Sequence, residues 1–149
     1  IEKGPVPEES FRIPFGRADI KREGRDITVV ATHAMVLRSM KAAEEVAKDN
    51  IDIEIVDPRT LNPLDKETIL ESVKKTGRLL VADEGPKTCG IGAEISAVVA
   101  EEAIEYLKAP ILRVSSPDTP VPFSPPLEKT YIPDERDLIP AIRRLMEYE

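Results

Sequence analysis

Four short runs rich in β-branched residues, at 27–32, 53–57, 78–83 and 111–115, recur along the chain with helix-length segments between them. Each has the length and composition of a strand. In the first gap Val36, Met40, Ala43 and Ala47 stand at helical spacing. Ile69, Leu70 and Val73 do so in the second, and Ile95, Val98, Val99, Ala103 and Leu107 in the third. Each segment therefore turns one apolar face inward. Strands joined by crossovers of this length form right-handed βαβ units, so the chain is predicted to fold as α/β: a doubly wound parallel sheet covered by helices on both faces.

The helix ends are also marked. Asp65 is a good N-cap with Glu67 in the first turn, and Gly77 follows the second helix where a left-handed residue is wanted. Residues 18–22 read as a short edge strand turning into the first parallel one through 23–26. With Asp137 as N-cap the last helix starts near Leu138 and Pro140 falls in its first turn, where the missing donor costs little; the alternative is a kinked helix.

At 149 residues the chain suffices for one domain with a proper core. One cysteine, Cys89, excludes an internal disulfide, and one histidine leaves too few ligands for a Cys/His zinc site, which points to a reducing, intracellular setting. A net charge of −7 argues against nucleic acid or an anionic membrane surface as partner and favours a basic protein. No apolar run approaches a membrane span. The absence of glutamine, two asparagines and one-third charged residues lean towards a thermophilic source. The chain opens on Ile1, and residues 1–14 read as a polar, proline-containing linker from something longer.

Candidate chemistry is sparse. The segment 85–92, Gly-Pro-Lys-Thr-Cys-Gly-Ile-Gly, lies between a strand and a helix, where phosphate loops sit, but a P-loop needs Lys and then Ser or Thr directly after its second spaced glycine, and here Ile91 and Gly92 follow Gly90. It also carries Glu94 where a dinucleotide site needs no anion, so its glycines read as allowing close strand-to-helix packing. Asp57 and Asp83 end two strands at the edge where open α/β sheets bind ligands, and Arg59 is a ready ion-pair partner for either. A pair of carboxylates there would share a proton or hold a hard cation if close enough; otherwise each accepts loop N–H groups. His33, between strand and helix, faces the same crevice with no evident partner. On these residues alone a stand-alone small-molecule-binding or regulatory module is an open reading.

Residues 116–129 hold five of the 14 prolines together with Val121, Phe123 and Leu127. Proline fixes φ and removes a donor, so this segment is expected to be neither helix nor central strand. Its apolar residues predict a stiff connection that packs on its own domain or on a permanent partner. PxxP spacing also allows an SH3-type ligand.

Longer motifs carry a resemblance. Val-Asp-Pro-Arg-Thr-Leu-Asn-Pro-Leu-Asp at 56–65, Asp-Glu-Gly-Pro-Lys-Thr at 83–88 with Gly90, Gly92, Ala93, Glu94 and Ile95, Ala109-Pro110 with Arg113-Val114, and Pro-Asp-Thr-Pro-Val-Pro-Phe at 117–123 appear in order. Together they closely resemble the C-terminal, transketolase-like domain of the beta subunit of thiamine-diphosphate-dependent 2-oxo acid dehydrogenases, from about Pro14 onward. The matching domain of another transketolase-family enzyme is the less similar alternative.

The resemblance implies a three-layer α/β/α sandwich over 15–149, with a mainly parallel sheet and one antiparallel edge strand, near Ile20. It implies a whole enzyme, α2β2 and cytoplasmic (or in the mitochondrial matrix of a eukaryote), that decarboxylates a 2-oxo acid or a relative such as acetoin. That enzyme would use thiamine diphosphate and Mg and pass the acyl group to a lipoyl domain. No cofactor or catalytic residue is expected on this chain. Its expected partners are the alpha subunit, a second beta subunit and the basic peripheral subunit-binding domain of the acyltransferase. Docking contacts of relatives map to Lys108, before Ala109 and Pro110, and to the terminal Glu149. Lys108 departs from the acidic residue several relatives have there, with Glu102 or Glu105 as substitutes. His33 and Cys89 stand where the family has small residues or glycine.

Overall fold

The computed structural model describes residues 8–148. Its elements in chain order are β1 (Asp19–Arg22), β2 (Ile27–Ala31), α1 (Ala34–Val46), β3 (Ile53–Asp57), α2 (Lys66–Thr76), β4 (Leu79–Pro86), α3 (Ile91–Glu102), β5 (Leu112–Ser116), α4 (Pro125–Tyr131) and α5 (Glu135–Met146). The sheet order is β1-β3-β2-β4-β5. All neighbours are parallel except β1, which runs antiparallel to β3 from Asp19 opposite Asp57 and bulges between Ile20 and Arg22. The predicted mainly parallel sheet with one antiparallel edge strand is what forms.

Alternation along the strands builds two cores. Ile27, Val29, Ala31, Ile53, Ile55, Leu80 and Ala82 face α1 and α5, where they meet Met35, Val46, Leu138 and Ile142. Val30, Val56, Leu79 and Val81 face α2 and α3, against Ile69, Val73, Ile95 and Val99. Two fully buried strand side chains on the second face are polar. Thr28 and the fully buried Glu54 point at α2, where Ser72 and Thr76 accept or return hydrogen bonds and Lys75 pairs with Glu54.

Asp65 caps α2 as expected, accepting from the Thr68 N–H at 3.2 Å, and Gly77 ends it at φ 73°. Asp65 also accepts the Ala18 N–H at 2.8 Å, tying the entry of β1 to the start of α2. Burial alone would raise its pKa, but these N–H groups, the Thr68 hydroxyl and the nearby Arg17 charge outweigh that and hold its carboxyl below the ordinary range. A lowered folded pKa contributes stability above the unfolded value that is lost as pH falls through the folded one. Asp65→Ala is therefore expected to lower the unfolding free energy by about 1–2 kcal/mol at neutral pH. Urea titrations of parent and variant should converge only in strong acid.

Three expectations are corrected. The N-cap of α5 is Asp134, not Asp137: the Asp134 carboxylate accepts from the Arg136 N–H at 2.8 Å, while Asp137 turns back to accept the Asp134 N–H at 2.9 Å. This reciprocal capping box starts the helix three residues earlier and leaves Pro140 inside it, exposed, with its ring on the solvent side. The third apolar stripe does not continue to Leu107 as one helix, because Ala103 leaves helical geometry at φ −150° and a single 3₁₀ turn follows. That turn lets the Lys108 N–H reach the Gly77 carbonyl at 2.8 Å.

The proline segment is the third correction. Residues 125–131 do form a helix, α4, with Pro125 and Pro126 in its first two positions, where no intrahelical donor is required. The packing of this segment on its own domain also fails: Val121 and Leu127 are exposed, and Phe123 is fully exposed at 105%.

Candidate functional site

The loops after β2 and β4 leave for opposite faces of the sheet, α1 on one and α3 on the other, so the crevice expected of a doubly wound fold opens between them. The residues that border it are Thr32 and His33 after β2 and Asp83 and Glu84 on β4. They are tied to each other. The Thr32 hydroxyl donates to Asp83 at 2.6 Å, and His33 Nδ1 lies 2.7 Å from a Glu84 carboxylate oxygen. Asp83 further accepts the Gly85 N–H at 3.1 Å, and Ser116 donates to the Glu84 carbonyl at 2.7 Å. These pairs tie the ends of β2 and β4 together across the crevice.

His33 precedes α1 at φ 48°, a left-handed conformation costly for a residue with a side chain, and makes no capping bond. Its predicted lack of a partner is corrected by Glu84. Glu84 directly follows Asp83, on the strand next to β2 in the sheet, and that adjacency was the available signal. Asp57 and Asp83 do not meet, because β2 stands between their strands, roughly 9–10 Å of sheet. Asp57 accepts the Arg59 N–H at 2.9 Å, the loop role a strand-end aspartate commonly takes. The Arg59 guanidinium turns away from both candidates and pairs with Asp19 at 2.5 Å. Asp19 is also paired with Lys21, and that hydrogen bond together with the two cations outweighs burial and holds its carboxyl below the ordinary range.

The glycine loop behaves as a packing turn. A Cβ at Gly90 would lie 2.2 Å from the Pro86 carbonyl oxygen, and one at Gly92 would press on Arg113 and Val81. The Thr88 N–H and hydroxyl, donors that an anion would need, are taken by Asp118 at 3.0 and 2.6 Å. Those bonds hold the Asp118 carboxyl below its usual range. Cys89 is exposed at φ 57°.

The surface around His33 also carries apolar side chains. A groove of about 540 Å³ brings the predicted His33 and Asp57 together, with Arg59 between apolar walls of Ile13, Phe15 and Leu61, and a larger one of about 840 Å³ lies between α1 and α4. Phe15 is 84% exposed and Leu37 and Phe11 are also open to solvent. Of the expected assembly residues, Ala109 is buried in the core beside α5, Pro110 is exposed, and Lys108 lays its methylene stem over Gly77 while remaining exposed. Glu102 and Glu105 are exposed nearby; Glu149 lies outside the described residues.

A mainly parallel sheet of this order with one antiparallel edge strand defines a doubly wound α/β domain. The chain belongs to the family described as transketolase, C-terminal domain, whose pattern matches residues 16–138. It is 50% identical over 145 residues to the beta subunit of acetoin:2,6-dichlorophenolindophenol oxidoreductase from Cupriavidus necator, covering 97% of this chain and 43% of that one. It is 46% identical over 143 residues to the pyruvate dehydrogenase E1 component subunit beta of Bacillus subtilis, covering 96% and 44%. Among solved structures, a split-gene transketolase described as an inactive beta4 tetramer superposes with a TM-score of 0.80 at 29% identity, over 96% of this chain and 46% of that one. The chain spans under half the length of these relatives. The resemblance read from the motifs is therefore upheld.

Proposed function

We propose that this chain is the assembly and docking domain of the beta subunit of a thiamine-diphosphate-dependent dehydrogenase acting on a 2-oxo acid or acetoin. The observation that carries the reading is the 43–50% identity to such beta subunits along nearly the whole chain. In this reading residues 1–14 lead from a cofactor-binding domain, and the whole enzyme is an α2β2 oxidoreductase of the cytoplasm. A lipoyl disulfide accepts the acyl group, and the isolated domain is inactive. No helix among the described residues is long and apolar enough to cross a membrane.

The exposed side chains support an assembly role. Phe123, Val121 and Leu127 on the proline segment, with Phe15 and Leu61 by the crevice, are apolar surfaces of the kind subunit contacts cover. Lys108 and Pro110 stand at the partner-facing position that the family resemblance indicates, with Glu102 and Glu105 close by to attract a basic docking domain.

The cofactor itself does not fit this chain. Among the described residues no three His, Cys, Asp or Glu side chains are grouped to hold a cation, and the donors of the glycine loop are bonded to Asp118. In this reading the magnesium-bound diphosphate is held by the cofactor-binding domain of the whole subunit. Calorimetric titration of the chain with thiamine diphosphate and Mg²⁺ is expected to give no binding heat. Tight, stoichiometric binding would overturn the reading.

A further inference from the structure

The sheet stops at β5: among the described residues no strand pairs with its outer edge. A terminal parallel strand directs half of its backbone donors and acceptors outward, a ready template for another strand. Two adjoining cavities lie along that edge. One, of about 400 Å³, is bounded by Ile111, Leu112 and Arg113 on the strand and by Pro140 and Arg144 of α5, with Lys87 at its rim. The other, of about 210 Å³, shares Lys87 and Arg113 and continues past Ser115 to Pro117 and Tyr131. Together they make a trough beside residues 111–117, roughly 20 Å of extended chain, in the place a sixth strand would occupy.

The charge along this trough runs against that of the molecule. Lys87, Arg113 and Arg144 all line the larger cavity and no carboxylate does, in a chain of net charge −7. Asp118 lines neither cavity but lies against Lys87, accepting its backbone N–H, and Asp137 lines the smaller cavity. Arg113 is held in place: its guanidinium donates to the Lys87 carbonyl at 3.0 Å and its stem packs over Gly92. A single cation is enough to guard an open strand edge against non-specific pairing. Three lining one cavity that holds no carboxylate make it attractive to an anion.

We propose that this trough binds an acidic, extended peptide segment of a partner protein, which adds as a strand to β5 while its carboxylates meet Lys87, Arg113 and Arg144. The main-chain bonds supply length and register, and the cations select acidic side chains. This surface lies on the open edge of the sheet and is independent of the docking role proposed above, which calls for a basic partner.

The test is fluorescence anisotropy with the 149-residue chain and a labelled hexapeptide alternating glutamate and valine. Saturable binding is expected, weakened at least about tenfold when alternate backbone nitrogens of the peptide are methylated, and by a similar factor in the Lys87→Glu, Arg144→Glu double variant. Both substitutions are at the surface, and amide shifts in the unaltered chain provide a readout independent of them: changes centred on residues 111–117 support the proposal. Absence of saturable binding up to about 1 mM peptide would overturn it. So would amide shifts elsewhere, or binding that ignores N-methylation and is displaced by free glutamate or inorganic phosphate, the signature of a simple anion site.

Discussion

A methyl group added at Gly24 is expected to cost the domain more than about 3 kcal/mol, because there is no side chain that can yield to it. The turn between β1 and β2 lies directly on the backbone of β3, and a Cβ at Gly24 would sit 2.2 Å from the Ile53 carbonyl carbon and 2.3 Å from the Glu54 nitrogen. Relief would require the turn to lift off β3. That movement would break the Gly24 N–H bond to Glu54 at 3.3 Å and the adjoining bonds from the Arg25 and Asp26 N–H groups to the Asp52 carbonyl. Urea unfolding of Gly24→Ala should show a large drop in midpoint with little change in slope, or failure to fold. An unfolding free energy within about 0.5 kcal/mol of the parent would show that the close approach is not there.

The same joint carries the second large effect. Glu54 is fully buried on β3, and its carboxylate is satisfied by Ser72, the Gly24 N–H and Lys75, with Lys75 also bridging to Glu23 at 3.0 Å. Lys75→Ala leaves that carboxylate buried without its counter-charge, with an expected loss of about 2–3 kcal/mol, below the range for fully buried pairs because the lysine is partly exposed. Replacing both partners, Glu54→Leu with Lys75→Met, should recover much of the loss, since an apolar pair needs no compensation. Burial tends to lower the Lys75 pKa, but its hydrogen bonds to Glu54 and Glu23 and their charges prevail and raise it. A raised folded pKa gives stability that is complete below the ordinary lysine value and lost as pH rises through the folded one. The difference between parent and Lys75→Ala should therefore persist through neutral pH and shrink only in strongly alkaline solution.

The general frame was legible because its signals are local. β-branched runs, helical periodicity, Asp65 before α2 and Gly77 after it each act within a few residues, and the crossover rule turns them into a parallel sheet. The start of α5 was not, because Asp134 and Asp137 are both capable caps three residues apart; avoiding Pro140 favours the later one, while the reciprocal bonds between the two favour the earlier. Glu54 illustrates a different barrier. A glutamate between Ile53 and Ile55 on a buried strand is tolerated only because Ser72 and Lys75, three residues apart on α2, face it, and that pairing depends on register across two elements.

The candidate site was less legible still. Asp57 ends β3 as read, but β4 runs on past Asp83 to Pro86, and the partners were not readable, since His33, Thr32 and Arg59 choose among carboxylates by distances set by strand order. Phe123 marks the limit most clearly. Apolar residues among prolines suggested burial, and Phe123 is fully exposed, because nothing in the local sequence distinguishes a residue bound for the domain's own core from one left on its surface.

Titration of the chain with a basic peripheral subunit-binding domain, in low and high salt, tests most directly whether this domain works by docking. Saturable binding is expected that weakens about tenfold or more as ionic strength rises past the screening range, and that tightens in Lys108→Glu, where an acidic side chain replaces the exposed ammonium. No measurable binding, or binding indifferent both to salt and to the charge at position 108, would contradict the docking role.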